Sequence, residues 1–219
     1  MTKTSFNKAY LLRCIAFIIG LFFSGLGVAI TKKGELGVSP VSSIANVMSI
    51  RFDALTIGNW LIITNCLLIL GQALILRKNF KFFQLLQIPL SVLFGYFTDF
   101  GVWMIKNIPV SIYPARLVCV VLGTAVLAFG IVIQIKADVI MNSGEAFVKA
   151  ITDTYNKEFG TVKVIFDVTY VSLSIVISLI LCGGKVVGTR EGTVIAAIIN
   201  GLFIKLYLKL ISRLGRSKN

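Results

Sequence analysis

Lys163 and Asp167 are charged residues four positions apart in an otherwise apolar segment, GTVKVIFDVTYVSLSIVISLIL, residues 160–181. On a helix this spacing puts both side chains on one face, where they can form an ion pair. A charge inside a membrane span costs about 2.5–3.5 kcal/mol on insertion scales, so such residues are functional candidates. Two interpretations stay open. Asp167 neutralises a lysine that snorkels from the helix end, or it couples a proton or cation or binds a solute.

Glu145 is a second carboxylate that a binding site can use. It follows the sequence MNSG and is expected in the first turn of a short helix, where the helix dipole stabilises a carboxylate. Asn142, Ser143 and Gly144 precede it, and the first two can donate or accept hydrogen bonds at this break. The alternative is an ordinary acidic residue at the start of a helix.

Arg190 and Glu191 lie in the sequence GTREGT, at the start of the last apolar segment. Adjacent residues on a helix point in different directions, so each needs a separate partner, and Asp167 and Glu145 are candidates for Arg190. The guanidinium of Arg190 can instead bind an anionic solute through two hydrogen bonds. Interfacial anchoring is the alternative that needs no solute.

Asp99 and Lys205 are two further charges within apolar segments, the third and the sixth. They occupy matching positions in the two halves of the chain. We therefore expect a structural ion pair between them, of the kind that secures geometry more than stability.

Composition excludes several classes of function. Of the 219 residues, 57% are hydrophobic and 14% charged, whereas soluble domains are about 25% charged. The net charge of +13 is scattered over short loops and tails, which excludes a nucleic-acid stripe and leaves the lipid bilayer as the partner. Histidine is absent and the four cysteines are isolated in or near apolar segments, so no enzyme, cofactor or metal site is expected.

Six segments are long and apolar enough to cross a membrane. They are residues 10–30, 57–76, 84–106, 115–136, 161–182 and 192–212. Residues 41–50 and 145–155 are helical in composition but too short and polar to cross, and each follows a break in the pattern. Each is expected to be a short broken or re-entrant helix, since irregular backbone at membrane depth needs protein or a water-filled cavity around it.

The two halves of the chain repeat this pattern. The segment 27–44 aligns with 130–147, and the order of span, break, short helix, span and span recurs. Aligned pairs are Gly27 with Gly130, Glu35 with Asp138, Ser39-Pro40 with Asn142-Ser143, Gly58 with Gly160, Asn65 with Asp167, and Gly95 with Gly201. Three spans per half force opposite orientations, so we expect one membrane domain made of inverted repeats, 1–106 and 107–219.

Four motifs carry a resemblance to a known family. They are GLGVAITKKGELGVSP (25–40), MNSGEAFVKAI (141–151), FGTVKVIFDVT (159–169) and GTREGTVIAA (188–197). Together and in this order they resemble the YczE/YyaS/YitT-type bacterial integral membrane proteins. The resemblance implies a multi-pass protein of the bacterial cytoplasmic (inner) membrane and little about its activity. Val41 and Ser42 stand where many members have an aromatic and an acidic residue.

We interpret the chain as a secondary transporter of a small polar or charged solute, whose site lies between the two breaks. The expected site residues are Gly37, Ser39, Pro40, Asn65, Asn142, Ser143, Gly144, Glu145, Lys163, Asp167, Arg190 and Glu191. Alternatives are the substrate-capture subunit of an ATPase-coupled vitamin transporter, and a membrane assembly or regulatory factor. Lysine and arginine are more numerous on the side of the two termini, which favours cytoplasmic termini. The oligomeric state stays open, with a homodimer among the states considered.

Overall fold

A computed structural model describes residues 3–216, and this range is helical throughout apart from its turns and loops. The long helices are α1 Lys3–Lys33, α3 Ile57–Leu76, α4 Gln87–Ile105, α5 Tyr113–Ala137, α7 Phe159–Leu181 and α8 Glu191–Arg216; the short ones are α2 Ser43–Arg51 and α6 Ser143–Tyr155. Single 3₁₀ turns cover Pro40–Ser42, Arg77–Asn79 and Phe82–Leu86. Residues 1–2 of the first expected repeat and residues 217–219 of the second lie outside the described residues.

Six helical segments are long and apolar enough to cross a membrane, which confirms the six spans expected from the sequence. They are Tyr10–Lys33, Ile57–Asn79, Phe82–Ile105, Tyr113–Ala137, Phe159–Leu181 and Glu191–Arg213. Each has 23 to 25 residues, about 35 Å of helix at 1.5 Å per residue, which suits a hydrocarbon core of about 30 Å. Large apolar side chains such as Leu67, Leu70 and Leu74 are exposed on α3, as lipid contact requires.

The α1 and α5 helices form the central, most extensive packing contact. Four glycines bring the two backbones together, Gly20 against Gly130 and Gly27 against Gly123. A Cβ built on Gly27 would lie 2.5 Å from the backbone nitrogen of Leu127, and one on Gly130 would lie 2.5 Å from the Gly20 carbonyl oxygen. Small residues at helix interfaces permit this close approach within membranes.

The remaining helices pack around this pair in a regular way. The α4 helix packs on α1 and α8 packs on α5, while α3 contacts α4 extensively. The short α2 contacts α3 and α7, and the short α6 contacts the same two helices. By contrast, α7 and α8 make little contact with each other over the described residues.

The breaks that follow α1 and α5 share their backbone conformation. Glu35 follows the end of α1 with φ of 56°, and Asp138 follows the end of α5 with φ of 50°. Such left-handed residues end a helix and turn the chain. The next helical turns then begin after Ser39 (φ −58°, ψ 152°) and Asn142 (φ −58°, ψ 151°). Ser39 and Ser143 are buried at the starts of these segments.

We predict that Gly27→Ala destabilises the protein by about 1–3 kcal/mol, because the added Cβ overlaps the backbone of α5. Thermal unfolding of the detergent-purified protein measures the effect. Gly201→Ala is the matched control, since a Cβ at Gly201 meets nothing within 4 Å. Equal melting temperatures for the two variants would contradict the tight contact.

Candidate functional site

A cavity of about 370 Å³ lies between the two breaks and is lined by six long helices, the Pro40–Ser42 turn and the start of α6. It extends from Val28, near the end of α1, and Leu61, near the start of α3, to Met141 and Phe159, which are exposed. Nine of the residues expected in the site line it: Ser39, Pro40, Asn65, Asn142, Ser143, Gly144, Glu145, Lys163 and Asp167. We call this space the central cavity.

The ionisable side chains of the central cavity form one cluster. Lys163 Nζ lies 2.9 Å from Asp167 Oδ1 and 3.8 Å from Glu145 Oε1. The side chains of Lys163 and Asp167 keep 25% and 27% of their surface exposed, and the ammonium also lies 5.4 Å from the centre of the Phe166 ring. One lysine and two carboxylates give the described lining a formal excess of one negative charge.

The start of α6 is tied to α3 and α4 by buried amides. Ser143 Oγ donates to Asn65 Oδ1 at 2.8 Å, and Gln72 Nε2 donates to the Ser143 carbonyl oxygen at 3.1 Å. The Gln72 and Gln87 side chains also exchange two hydrogen bonds of 3.1 Å. These bonds satisfy buried polar groups and fix the position of the helix start that carries Glu145.

Sequence reasoning missed Gln72 and Gln87. Both are buried, and Gln72 has 0% of its surface exposed. An uncharged amide within an apolar span is a usable signal, because polar side chains there usually hydrogen-bond across helices.

The rest of the central cavity is mostly apolar. Phe17, Leu21, Phe94 and Ile131 contribute side chains from α1, α4 and α5. Asn200 from α8 is an exception, with a buried side-chain oxygen that has no hydrogen-bond partner among the described residues. An apolar cavity with a few placed polar groups is the usual form of a small-molecule site.

Three expected site residues do not line the central cavity. Gly37 and Arg190 line a second, separate cavity of about 650 Å³. Gly37 has φ of 121°, a backbone conformation that glycine adopts easily. The buried Val38 lies between Gly37 and Ser39 in the chain. Glu191 lies beside Arg190, with 3.4 Å between Glu191 Oε2 and Arg190 Nε. The structure therefore does not place these three residues with the other nine.

The expected ion pair between Asp99 and Lys205 is absent from the described residues. Asp99 Oδ1 accepts from the Gly58 backbone N–H at 2.9 Å, and Asp99 Oδ2 accepts from Thr56 Oγ1. The carboxylate thus stabilises the first turn of α3, a favourable place for negative charge. Lys205 is exposed on α8. Matching positions in two halves need not meet, because helices α4 and α8 pack on different partners.

Six apolar spans around a partly polar cavity define a multi-pass α-helical membrane protein. A family model for a family of unknown function, DUF6198, matches residues 11–209, and the chain belongs to that family.

Two relatives from Bacillus subtilis (strain 168) are similar over nearly their whole length. The uncharacterized protein YyaS is 23% identical over 206 residues, covering 92% of this chain and 94% of the relative. The uncharacterized membrane protein YczE is 25% identical over 203 residues, covering 92% of this chain and 88% of the relative. These matches confirm the resemblance drawn from the four motifs. No solved structure matches the chain.

We predict that Gln72→Leu lowers the free energy of unfolding by about 1–3 kcal/mol, since it leaves the buried amide of Gln87 and the Ser143 carbonyl unpaired. The double variant with Gln87→Leu should lose less than the sum of the single variants, because the two amides mainly serve each other. Thermal unfolding of the four proteins gives this cycle. Additive losses would contradict the paired arrangement.

Proposed function

We propose that the protein is a secondary transporter of a small polar or charged solute, which binds in the central cavity between the two helix starts. The observation that carries this proposal is the cluster of Glu145, Lys163 and Asp167 in a cavity bounded by both breaks. Ionisable residues within spans are rare and mark solute or ion pathways in membrane proteins.

The charges of the central cavity favour a solute that carries a positive charge. Two carboxylates face one ammonium group there, and a cationic group of the solute can share the carboxylates with Lys163. The start of α6 offers backbone N–H groups to an acceptor on the same solute. A small cationic or zwitterionic solute therefore matches the cavity best.

The proposal includes inverted repeats over residues 1–106 and 107–219, with α2 and α6 as re-entrant helices. Three pairs of aligned residues support it. Glu35 and Asp138 share a left-handed backbone, and Ser39 and Asn142 share their φ and ψ. Gly27 of the first half contacts Gly123 of the second, and the equivalent contact with the halves exchanged is that of Gly130 with Gly20. A two-fold relation produces such paired contacts.

One difference between the halves suggests how the cavity changes its access. Gly58 and Gly95 lie in close contact between α3 and α4. Their counterparts Gly160 and Gly201 make no such contact within residues 3–216: the nearest atom to a Cβ built on Gly160 lies 3.6 Å away, and a Cβ on Gly201 meets nothing within 4 Å. We infer a second conformation in which α7 and α8 close at these glycines and α3 and α4 separate. Exchange of conformation between repeats is the usual basis of alternating access.

We assign the protein to the bacterial cytoplasmic membrane with both termini in the cytoplasm, as the distribution of lysine and arginine favours. The exposed end of the central cavity, at Met141 and Phe159, then faces the cytoplasm. The sequence contains no GxxxxGK[ST] phosphate-binding motif, so an ion gradient is the proposed driving force. The solute is moved without chemical conversion.

Binding is tested by thermal unfolding of the detergent-purified protein in the presence of ions, amino acids and small cationic solutes. A ligand specific to the folded state stabilises it by about 2.7 kcal/mol at 100 times its Kd. We expect Asp167→Asn to abolish this stabilisation while the protein stays folded. Asp153→Asn is the matched control, because Asp153 pairs with Lys149 at 3.2 Å with the same i,i+4 spacing on an exposed surface. A severely destabilised Asp167→Asn protein with no ligand response would favour an assembly factor instead.

Alternating access is tested by cross-linking. In a variant whose four cysteines are replaced by alanine, we expect Gly160→Cys and Gly201→Cys together to cross-link and to stop solute flux into liposomes. Each single cysteine variant is the control. Cross-linked protein that transports at the control rate would exclude closure between α7 and α8.

A further inference from the structure

The second cavity, of about 650 Å³, lies between the ends of α1 and α4, helix α2 and the loop before α8. It shares no lining residue with the central cavity. Val38 and Ala45 lie between the lining residues of the two spaces along the chain, and each has 0% of its surface exposed. The second cavity is thus a distinct space, which we call the basic cavity after its charges.

Four basic residues line the basic cavity: Lys32, Lys33, Lys106 and Arg190. Among the described residues, no carboxylate lies within 4 Å of the three lysine ammonium groups. Lys32 Nζ donates to Ser49 Oγ at 2.9 Å, and Lys33 Nζ donates to the Lys106 carbonyl oxygen at 2.8 Å. Each ammonium has three donors, so donors remain for a ligand.

The nearby carboxylates are engaged with other groups. Glu35 lines the same cavity but pairs with Arg116 at 3.1 Å. Asp99 does not line the cavity, and its two oxygens accept from Thr56 and Gly58. Glu191 neutralises Arg190 only in part, at 3.4 Å and with both side chains more than 40% exposed. The basic cavity therefore has a clear excess of positive charge.

Asn46 gives the basic cavity a buried acceptor without a partner in the described part of the chain, which is an observation independent of the charges. It lines the basic cavity, has 3% of its surface exposed and donates from Nδ2 to the Gly188 carbonyl oxygen at 2.6 Å. Its buried Oδ1 has no hydrogen-bond partner among the described residues. Such an unpaired acceptor is unusual and calls for a donor. A ligand with a hydroxyl group can supply one.

We propose that the basic cavity binds a phosphate group that carries a neighbouring hydroxyl, with Lys32, Lys33 and Arg190 on the phosphate and Asn46 Oδ1 accepting from the hydroxyl. Ammonium and guanidinium groups bind phosphate oxygens through strong charge-assisted hydrogen bonds. Two sources offer this chemistry, a soluble glycerol phosphate and the headgroup of phosphatidylglycerol in the bilayer. The inference does not rest on transport through the central cavity.

Calorimetric titration of the detergent-purified full chain with sn-glycerol 3-phosphate tests the soluble source. We expect Lys32→Gln and Lys33→Gln each to weaken binding by roughly tenfold, and Lys32→Arg to retain it. Lys185→Gln is the matched control, because Lys185 is exposed in the loop before α8 and does not line the cavity. Asn46→Leu should reduce the preference for glycerol phosphate over inorganic phosphate.

Nanodiscs distinguish the lipid source. If soluble glycerol phosphate does not bind, the proposal requires that phosphatidylglycerol nanodiscs stabilise the wild-type chain more than phosphatidylcholine nanodiscs do, and that Lys33→Gln removes the difference. Equal effects of Lys33→Gln and Lys185→Gln in both assays would overturn the proposal. Absence of binding to both the soluble glycerol phosphate and the lipid would overturn it as well.

Discussion

The close contact of α1 with α5 is the constraint on which the other features depend. Because glycines let the two backbones touch, the helices cross at a small separation and the break after each lies at an opposite end of the pair. A bulkier interface would move the starts of α2 and α6 apart and leave their backbone groups without partners at membrane depth. The position of the cavity and of its charges therefore depends on the glycine contact, because that contact sets where the two breaks lie.

Much of this architecture could be predicted from the sequence, since the bilayer imposes a length and a composition on every span. The six spans and two short helices match the described helices within a few residues. The pairing of Lys163 with Asp167 followed from helix periodicity alone. Tertiary placement did not follow: periodicity gives the face of one helix but not the neighbour of that face. That limit explains why Asp99 does not meet Lys205 and why Arg190 lies in the other cavity.

The two cavities differ in the sign of their charge. Carboxylates exceed ammonium groups in the central cavity, and lysines dominate the basic cavity on the other side of a layer that contains Val38 and Ala45. Few charges are needed for this contrast, because apolar walls leave each charge poorly screened. Any solute that passed from one space to the other would meet opposite local potentials, so charge as well as size would determine which molecules enter each side.

Each short helix is completed by the other half of the chain. The start of α6 is held by Asn65 and Gln72 of α3, while Asn46 of α2 bonds the Gly188 carbonyl oxygen and the Leu36 carbonyl accepts from the Gly192 N–H at 2.9 Å. During synthesis, the first half therefore enters the bilayer with polar groups that have no partners until residues beyond 140 arrive. The packing that satisfies these groups therefore requires spans that are synthesised after the first half. A chain that ended before those spans would leave these groups unsatisfied, which is costly at membrane depth.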